Sequence, residues 1–290
     1  MKLLLKFDLI LVAIVAVGLI LVSLVVRSFL TDNAKAQVLQ QAELMMESAS
    51  STRQYTTEEL KPLLQQSAAQ EHTFLPQTVP AYGATVTFAH LRKKFPEYTY
   101  KEATLNPTNL EDRAVEWETD VIEHFRNDPN QKELLGERMT PTGTSLYLAH
   151  PISVQPSCIE CHSVPSAAPR TMIEKYGSNN GFGWKLNEVV AAQIVSVPTE
   201  IPMKIAKKAY GTLMWSLTAT FAAILIAINV VLYFLIILPV RRLARVADMV
   251  SLGQLDVGDL PVRGKDEIAD LTAAFNRLFV SVTKAMRMLN

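Results

Sequence analysis

Two long stretches without a charged side chain set the frame in which the rest of this 290-residue chain has to fold. Leu9 to Val26 carries Ser23 as its one polar side chain, and Gly211 to Leu238 is charge-free between Lys208 and Arg241. A helix needs ~20 apolar residues to cross the hydrocarbon core of a bilayer. Spans are therefore expected at residues 9–30 and 211–238, because a soluble core does not call for such a run twice. Ala34-Lys35-Ala36 has the small-x-small pattern of a signal cleavage site. The apolar run before it exceeds the ~7–15 residues of a signal peptide and stops short of that site, so an uncleaved anchor is expected. Lys2 and Lys6 precede the first span, and Arg241, Arg242 and Arg245 follow the second. Positive charge stays inside, which makes 1–8 and 239–290 cytoplasmic and 31–208 extracytoplasmic. Lys204, Lys207 and Lys208 lie on the opposite side and run against the rule. The expected location is the bacterial inner (cytoplasmic) membrane, crossed twice.

Within 31–208 stands Cys158-Ile159-Glu160-Cys161-His162, which holds both cysteines of the chain. C-x-x-C-H is the spacing of c-type haem attachment: two thiols bond one edge of the macrocycle and the adjacent imidazole ligates the iron. The competing readings are a disulfide, a thioredoxin-like redox pair and half of a zinc site. Zinc asks for further clustered ligands, and His72, His90, His124 and His150 are scattered singly. A redox C-x-x-C commonly opens a helix after a strand, but it does not require the following His. The expected cofactor is one covalently attached haem c per chain, on Cys158 and Cys161, with His162 as axial ligand. For the sixth position His150, His90, Met45 and Met46 are candidates, and an iron with water or no sixth ligand is equally compatible. Lys101, Arg138 and Arg170 are candidates to pair with propionates, and Phe182 and Trp184 to line the pocket.

Local patterns outline the domain around this motif. A polar helix-prone run, Asp32 to Gln70, continues from the membrane, with Ala36, Leu39, Ala42, Met46 and Ala49 at helical spacing. Thr85 to Phe95 reads as a helix ended by Pro96, Tyr98 to Ala103 as a short strand, and Asn106 to Asn109 as a turn. Arg113 to Arg126 reads as an amphipathic helix, and Ser145 to Val154 and Val189 to Val197 as strands. Helices on one mixed sheet give an α+β domain. The formal net charge is zero, so no basic field points to nucleic acid.

After Pro239, expected to break the second membrane helix, the chain carries Leu243, Val246 and Val250, a connector with Gly253, Leu255, Leu260 and Val262, and then Asp266-Glu267. Ile268, Leu271, Phe275, Leu278, Val282, Ala285 and Leu289 follow at alternating intervals of three and four, an a/d seam that needs partner helices. The proline, the connector glycine, Asp-Glu-Ile and Phe275-Asn276 resemble a HAMP domain, with Ala269 where a glycine is common. That resemblance implies a parallel dimer with a switching four-helix bundle.

The extracytoplasmic part resembles the c-type-haem PAS-like sensor domain family. The resemblance rests on Tyr100-Lys101-Glu102-Ala103, Asn106-Pro107-Thr108-Asn109, the haem motif and Gly181-Phe182-Gly183-Trp184-Lys185. It implies a five-stranded PAS-like sheet holding the haem, with His162 as axial ligand and Cys158 and Cys161 as attachment points. The expected architecture is thus α+β: a PAS-like haem domain between two transmembrane helices, followed by an α-helical HAMP coiled-coil bundle. The expected function is a non-enzymatic sensor that relays the redox or small-ligand state of the haem through HAMP. Its partners would be the lipid membrane, a second copy through HAMP, and a gaseous ligand or electron donor. No kinase, cyclase or methyl-accepting segment follows the HAMP-like stretch, so a separate cytoplasmic signalling partner is expected. The alternative is a membrane-anchored electron-transfer cytochrome.

Overall fold

The computed structural model describes residues 3–66, 72–141, 143–254 and 258–289. It divides into two compact units, Leu24–Gly211 and Met1–Ser23 with Thr212–Asn290. The first is built on an antiparallel sheet of β1 (Thr99–Thr104), β2 (Leu134–Thr140), β3 (Gly143–Ser153) and β4 (Val189–Pro198), in the order β1-β4-β3-β2. Among the described residues the sheet has four strands where the resemblance implied five. β4 is buried over nearly its whole length, as a near-continuous apolar strand covered on both faces should be.

One face is covered by α1 (Leu3–Tyr55) and α3 (Pro80–Arg92). Val38, Ala42, Met46 and Ala49 of α1, with Ala84 and Phe88 of α3, pack on Tyr100, Leu146, Leu148, Val195 and Val197. Ala36 is exposed and Leu39 half-buried, so the stripe is rotated from the one read in the sequence: Ala34 and Val38 take the inner positions. On the opposite face α4 (Glu116–Asn127) sets Val121, Ile122 and Phe125 against Ala103, Ala149, Ala192 and Ile194. α3 starts at Pro80, whose missing N–H costs nothing in a first turn, and ends before the expected Phe95. α4 starts three residues after the expected Arg113, where the Glu118 carboxylate accepts from Val115 N at 2.9 Å. β2 was not read from the sequence. It is an edge strand of alternating exposure whose Gly136 lies under the Tyr147 ring, where an added Cβ would come within 2.6 Å of the ring.

Two helical segments, Leu5–Gln65 and Glu200–Ser251, contain stretches long and apolar enough to cross a membrane, and the chain leaves those stretches uncovered. Each contains a π-helical turn, Thr56–Leu60 and Tyr233–Ile237, directly before a helix that carries proline at its first turn. These following helices are α2 (Lys61–Gln65) with Pro62, and α8 (Leu238–Ser251) with Pro239, which itself follows α7 (Glu200–Leu232). Pro239 therefore does not break the helix. A proline clashes with the carbonyl four residues back, and a wide turn relieves that clash without ending the helix. The last residues of the run expected to reach Gln70 lie outside the described residues.

In the second unit, Gly253 (φ +81°) closes α8, its N–H bonded to Val250 O at 3.0 Å and that of Gln254 to Met249 O at 3.0 Å. α9 (Glu267–Leu289) opens with Asp266 Oδ1 accepting from Ala269 N at 2.9 Å. Asn276 fastens the connector to α9: its Oδ1 accepts from Leu260 N at 3.1 Å and its Nδ2 donates to Leu260 O at 2.8 Å. Leu243 is buried and Val246 and Val250 are half-buried. On α9 the buried residues are Ala269, Thr272 and Phe279, while Leu271 and Leu278 are 50% and 61% exposed and Ile268, Phe275 and Val282 half-buried. The face packed within the chain is thus offset by one residue from the seam read in the sequence, and that seam is left open. Leu255 and the side chains of Ala285 and Leu289 lie outside the described residues.

Candidate functional site

Where β3 ends, its register with β4 shifts between Ile152 and Ser153. The chain is then pinned by Val154 N donating to Glu188 O at 2.9 Å and Asn187 N to Val154 O at 3.0 Å. Pro156 opens α5 (Pro156–His162), the helix that carries the motif. The motif thus opens a helix after a strand, as a redox C-x-x-C also does, so His162 is what separates the two readings. Cys158 and Cys161, three apart, share a helix face, and both are free thiols, half-buried. Cys158 and Ile159 pack with Trp184 against Val154, Val190 and Ala191. Among the described residues no three Cys, His, Asp or Glu side chains converge as a zinc site requires.

His162 closes α5 and is held from three sides. Its Nδ1 lies 2.7 Å from Gly181 O and 3.4 Å from Thr108 Oγ1. A carbonyl only accepts, so Nδ1 carries the proton and Nε2 the free lone pair. The ring stacks on Trp184 at 4.1 Å between centroids and 14° between planes. Trp184 N also donates to His162 O at 3.3 Å, and Trp184 Nε1 is buried with no acceptor among the described residues. Asn106 holds the segment that holds His162: its Oδ1 accepts from Gly181 N at 3.1 Å and its Nδ2 donates to Phe182 O at 3.2 Å. Gly181 sits at φ +83° against Thr108. In the sequence Asn106–Asn109 reads as a turn and Phe182 and Trp184 as pocket-lining candidates, and neither reading ties these stretches to His162; turn-forming Asn and Gly were the only signal. Their work is to orient one imidazole. Burial pushes the His162 pKa down, opposed by the Gly181 bond, and burial pushes the Cys161 thiol up, with Lys61 acting the other way.

The structure gathers none of the four sixth-ligand candidates beside His162. Met46 is buried in the core under α1 and Met45 packs on the same cluster. His90 is exposed, with Nδ1 3.4 Å from Lys93 Nζ. His150 shares the α1 side of the sheet with Leu146 and Leu148, and its Nε2 lies 3.8 Å from Glu133. Of the basic candidates, Lys101 donates to Glu118 at 2.7 Å, Arg138 lies over the Trp117 ring at 4.1 Å, and exposed Arg170 pairs with Glu174 at 2.8 Å. A second polar knot ties α1 to the sheet: Arg53 pairs with Glu102, which accepts from Tyr100 Oη at 2.7 Å. Burial pushes Tyr100 far up, and Glu102 adds to it.

A family model described as Tll0287-like matches residues 31–198, and that of the HAMP domain matches residues 231–284. No curated protein matches. A solved structure titled as the crystal structure of the cyanobacterial heme-protein Tll0287 superposes with a TM-score of 0.42 at 13% identity, covering 55% of this chain and 94% of that one. With more than half of its length matched, the chain belongs to the Tll0287-like family, its domain there followed by a HAMP domain.

Proposed function

We propose that this chain is a membrane-bound haem sensor that passes the redox or ligand state of one covalently held haem through HAMP to a cytoplasmic output. The observation that carries the reading is the donor set at α5: two free thiols on one face, beside an imidazole whose Nδ1 is tied down and whose Nε2 is open. That set fits a c-type haem, and Trp184 adds a buried N–H whose acceptor the described residues do not provide. Cys158 and Cys161 would hold the haem as thioethers, each by addition of its S–H across one vinyl group, which needs no oxidant. His162, kept neutral by burial, offers Nε2 to the iron, while Gly181 and Trp184 fix the ring plane. When bound, the haem supplies a reversible one-electron couple and a site for small axial ligands. A related cyanobacterial structure is titled a heme-protein, which supports the same reading.

The chain works by coupling rather than by turnover. We place the haem domain outside the cytoplasm, both termini inside, and a homodimer through the open α9 seam. Purified full-length protein matured outside the cytoplasm should keep its haem through denaturation and acid extraction, and Cys158→Ser with Cys161→Ser should abolish that retention. Covalent haem in the double variant would overturn the assignment. An anchored electron carrier is the reading to adopt if cysteine cross-linking at Leu271 and Leu278 is identical in oxidised, reduced and CO-treated protein.

A further inference from the structure

A polar cavity of about 340 Å³ lies over the α4 side of the sheet, is also lined by Thr85 and Arg92 of α3 and by Tyr100, and includes no residue of the segment between Val154 and Trp184. Its floor is two cross-strand pairs, Thr99 with Ser196 and Lys101 with Ile194, toward the start of β1, and Trp117 and Glu118 of the first turn of α4 wall it. Lys101 is already neutralised there by Glu118, which is 6% exposed. Of the other charges on the wall, Arg92 and Glu111 are exposed to water, whereas Arg138 and Asp112 are half withdrawn from it and unpaired among the described residues. Arg138 is half-buried, held flat over Trp117, and has no carboxylate within ion-pair reach among the described residues. Asp112, also half-buried, has no hydrogen bond or ion pair on its carboxylate among the described residues. Opposite charges withdrawn from water are costly unless paired, yet these two face one cavity without meeting each other. The volume stands at the small end of ligand pockets, which run from roughly 300 to 1,000 Å³.

We propose that this cleft binds a small zwitterion, an amino acid whose carboxylate meets Arg138 and whose ammonium meets Asp112. The guanidinium fork suits a carboxylate, and its stacking on Trp117 holds it in place. Trp117 and Ile194 offer apolar surface to the rest of the molecule, and the modest volume limits its size. The site has a route to the membrane helix. β1 carries Thr99 and Lys101 on the cleft floor, Tyr100 on its lining, and Glu102, which accepts from Tyr100 and pairs with Arg53 of α1. A ligand that draws on β1 therefore acts on α1, and the domain would take a chemical input beside the one at α5.

Calorimetric titration of the full-length protein in detergent tests this. The probes are the coded α-amino acids, β-alanine and γ-aminobutyrate, which differ in charge separation, with propionate and n-propylamine as half-ligands. At least one zwitterion should bind and raise the melting temperature, and the half-ligands should not at equal concentration. Asp112→Asn and Arg138→Gln should each weaken binding at least about tenfold, with haem content and visible spectrum unchanged. If Arg138→Gln melts without cooperativity, Asp112→Asn alone decides. The proposal is overturned if no zwitterion binds, if a half-ligand binds as well, or if affinity survives the substitutions.

Discussion

Gly181 adopts a positive φ, and a Cβ there would come within 2.9 Å of Thr108 Cα, while its carbonyl holds His162 Nδ1. Gly181→Ala should destabilise the domain by about 1–3 kcal/mol in urea denaturation and loosen His162, seen as a changed visible spectrum. An unchanged spectrum would detach Gly181 from the ligand's orientation. Glu102 presents a different situation, its 6% exposed side chain neutralising an Arg53 that is 25% exposed. Glu102→Ala strands that guanidinium and should cost about 3 kcal/mol, whereas Arg53→Met with Glu102→Leu should recover most of the loss. A double variant as unstable as the single one would refute this. Asp112 is pushed up to about 6 from 3.8, by burial first and then by Glu102 and Glu111. Its folded state holds the proton more tightly than the unfolded chain, so its contribution is present below about pH 4 and lost as pH rises through about 6. Asp112→Asn should therefore be more stable than the parent above that window and level with it below about pH 4; an advantage independent of pH would exclude titration as the cause. The C-x-x-C-H motif could be read for haem attachment because that proposal rests on its spacing. Asn106, Thr108 and Gly181 were not, because they act through backbone geometry that only the folded chain brings beside His162.

Helices and strands were legible to the degree that their patterns were unmixed. α4 announced itself by one apolar face, and β4 by a near-continuous apolar run broken only by Gln193 and Ser196. β2 concealed itself, since an edge strand with Gly136, Glu137 and Arg138 at its centre carries no clean alternation. The wide turns before Pro62 and Pro239 were likewise hidden, because proline signals an end more often than an accommodation. With Pro239→Ala the wide turn loses its cause. Return to regular α-helix should rotate the following residues by about 100°. Cysteine cross-linking along α8 should then shift by one position, and an unshifted pattern would show that the turn persists without proline. Asn276→Ala removes both bonds to Leu260 and should expose the connector to proteolysis while α9 stays helical.

For the molecule as a whole, the order of span, sheet domain, span and HAMP was legible, because bilayer length and heptad spacing are properties of the chain alone. The seam's packing was not, since the second copy proposed to cover it lies outside a single chain. Leu278, 61% exposed, should tolerate Leu278→Asp within a protomer but not between protomers. Circular dichroism should stay unchanged while sedimentation reports a monomer; a surviving dimer would place its interface elsewhere. The sheet order has a consequence for biogenesis. Among the described residues β1 has β4 as its one neighbouring strand, with Thr99 opposite Ser196, and β4 is the last of the four strands to be synthesised. Until it arrives β1 is unpaired, and Cys158 lacks the Val190 and Ala191 surface that later encloses it. Synthesis thus presents both thiols on an open chain, and arrival of the final strand would close the interval in which the haem proposed above is fitted.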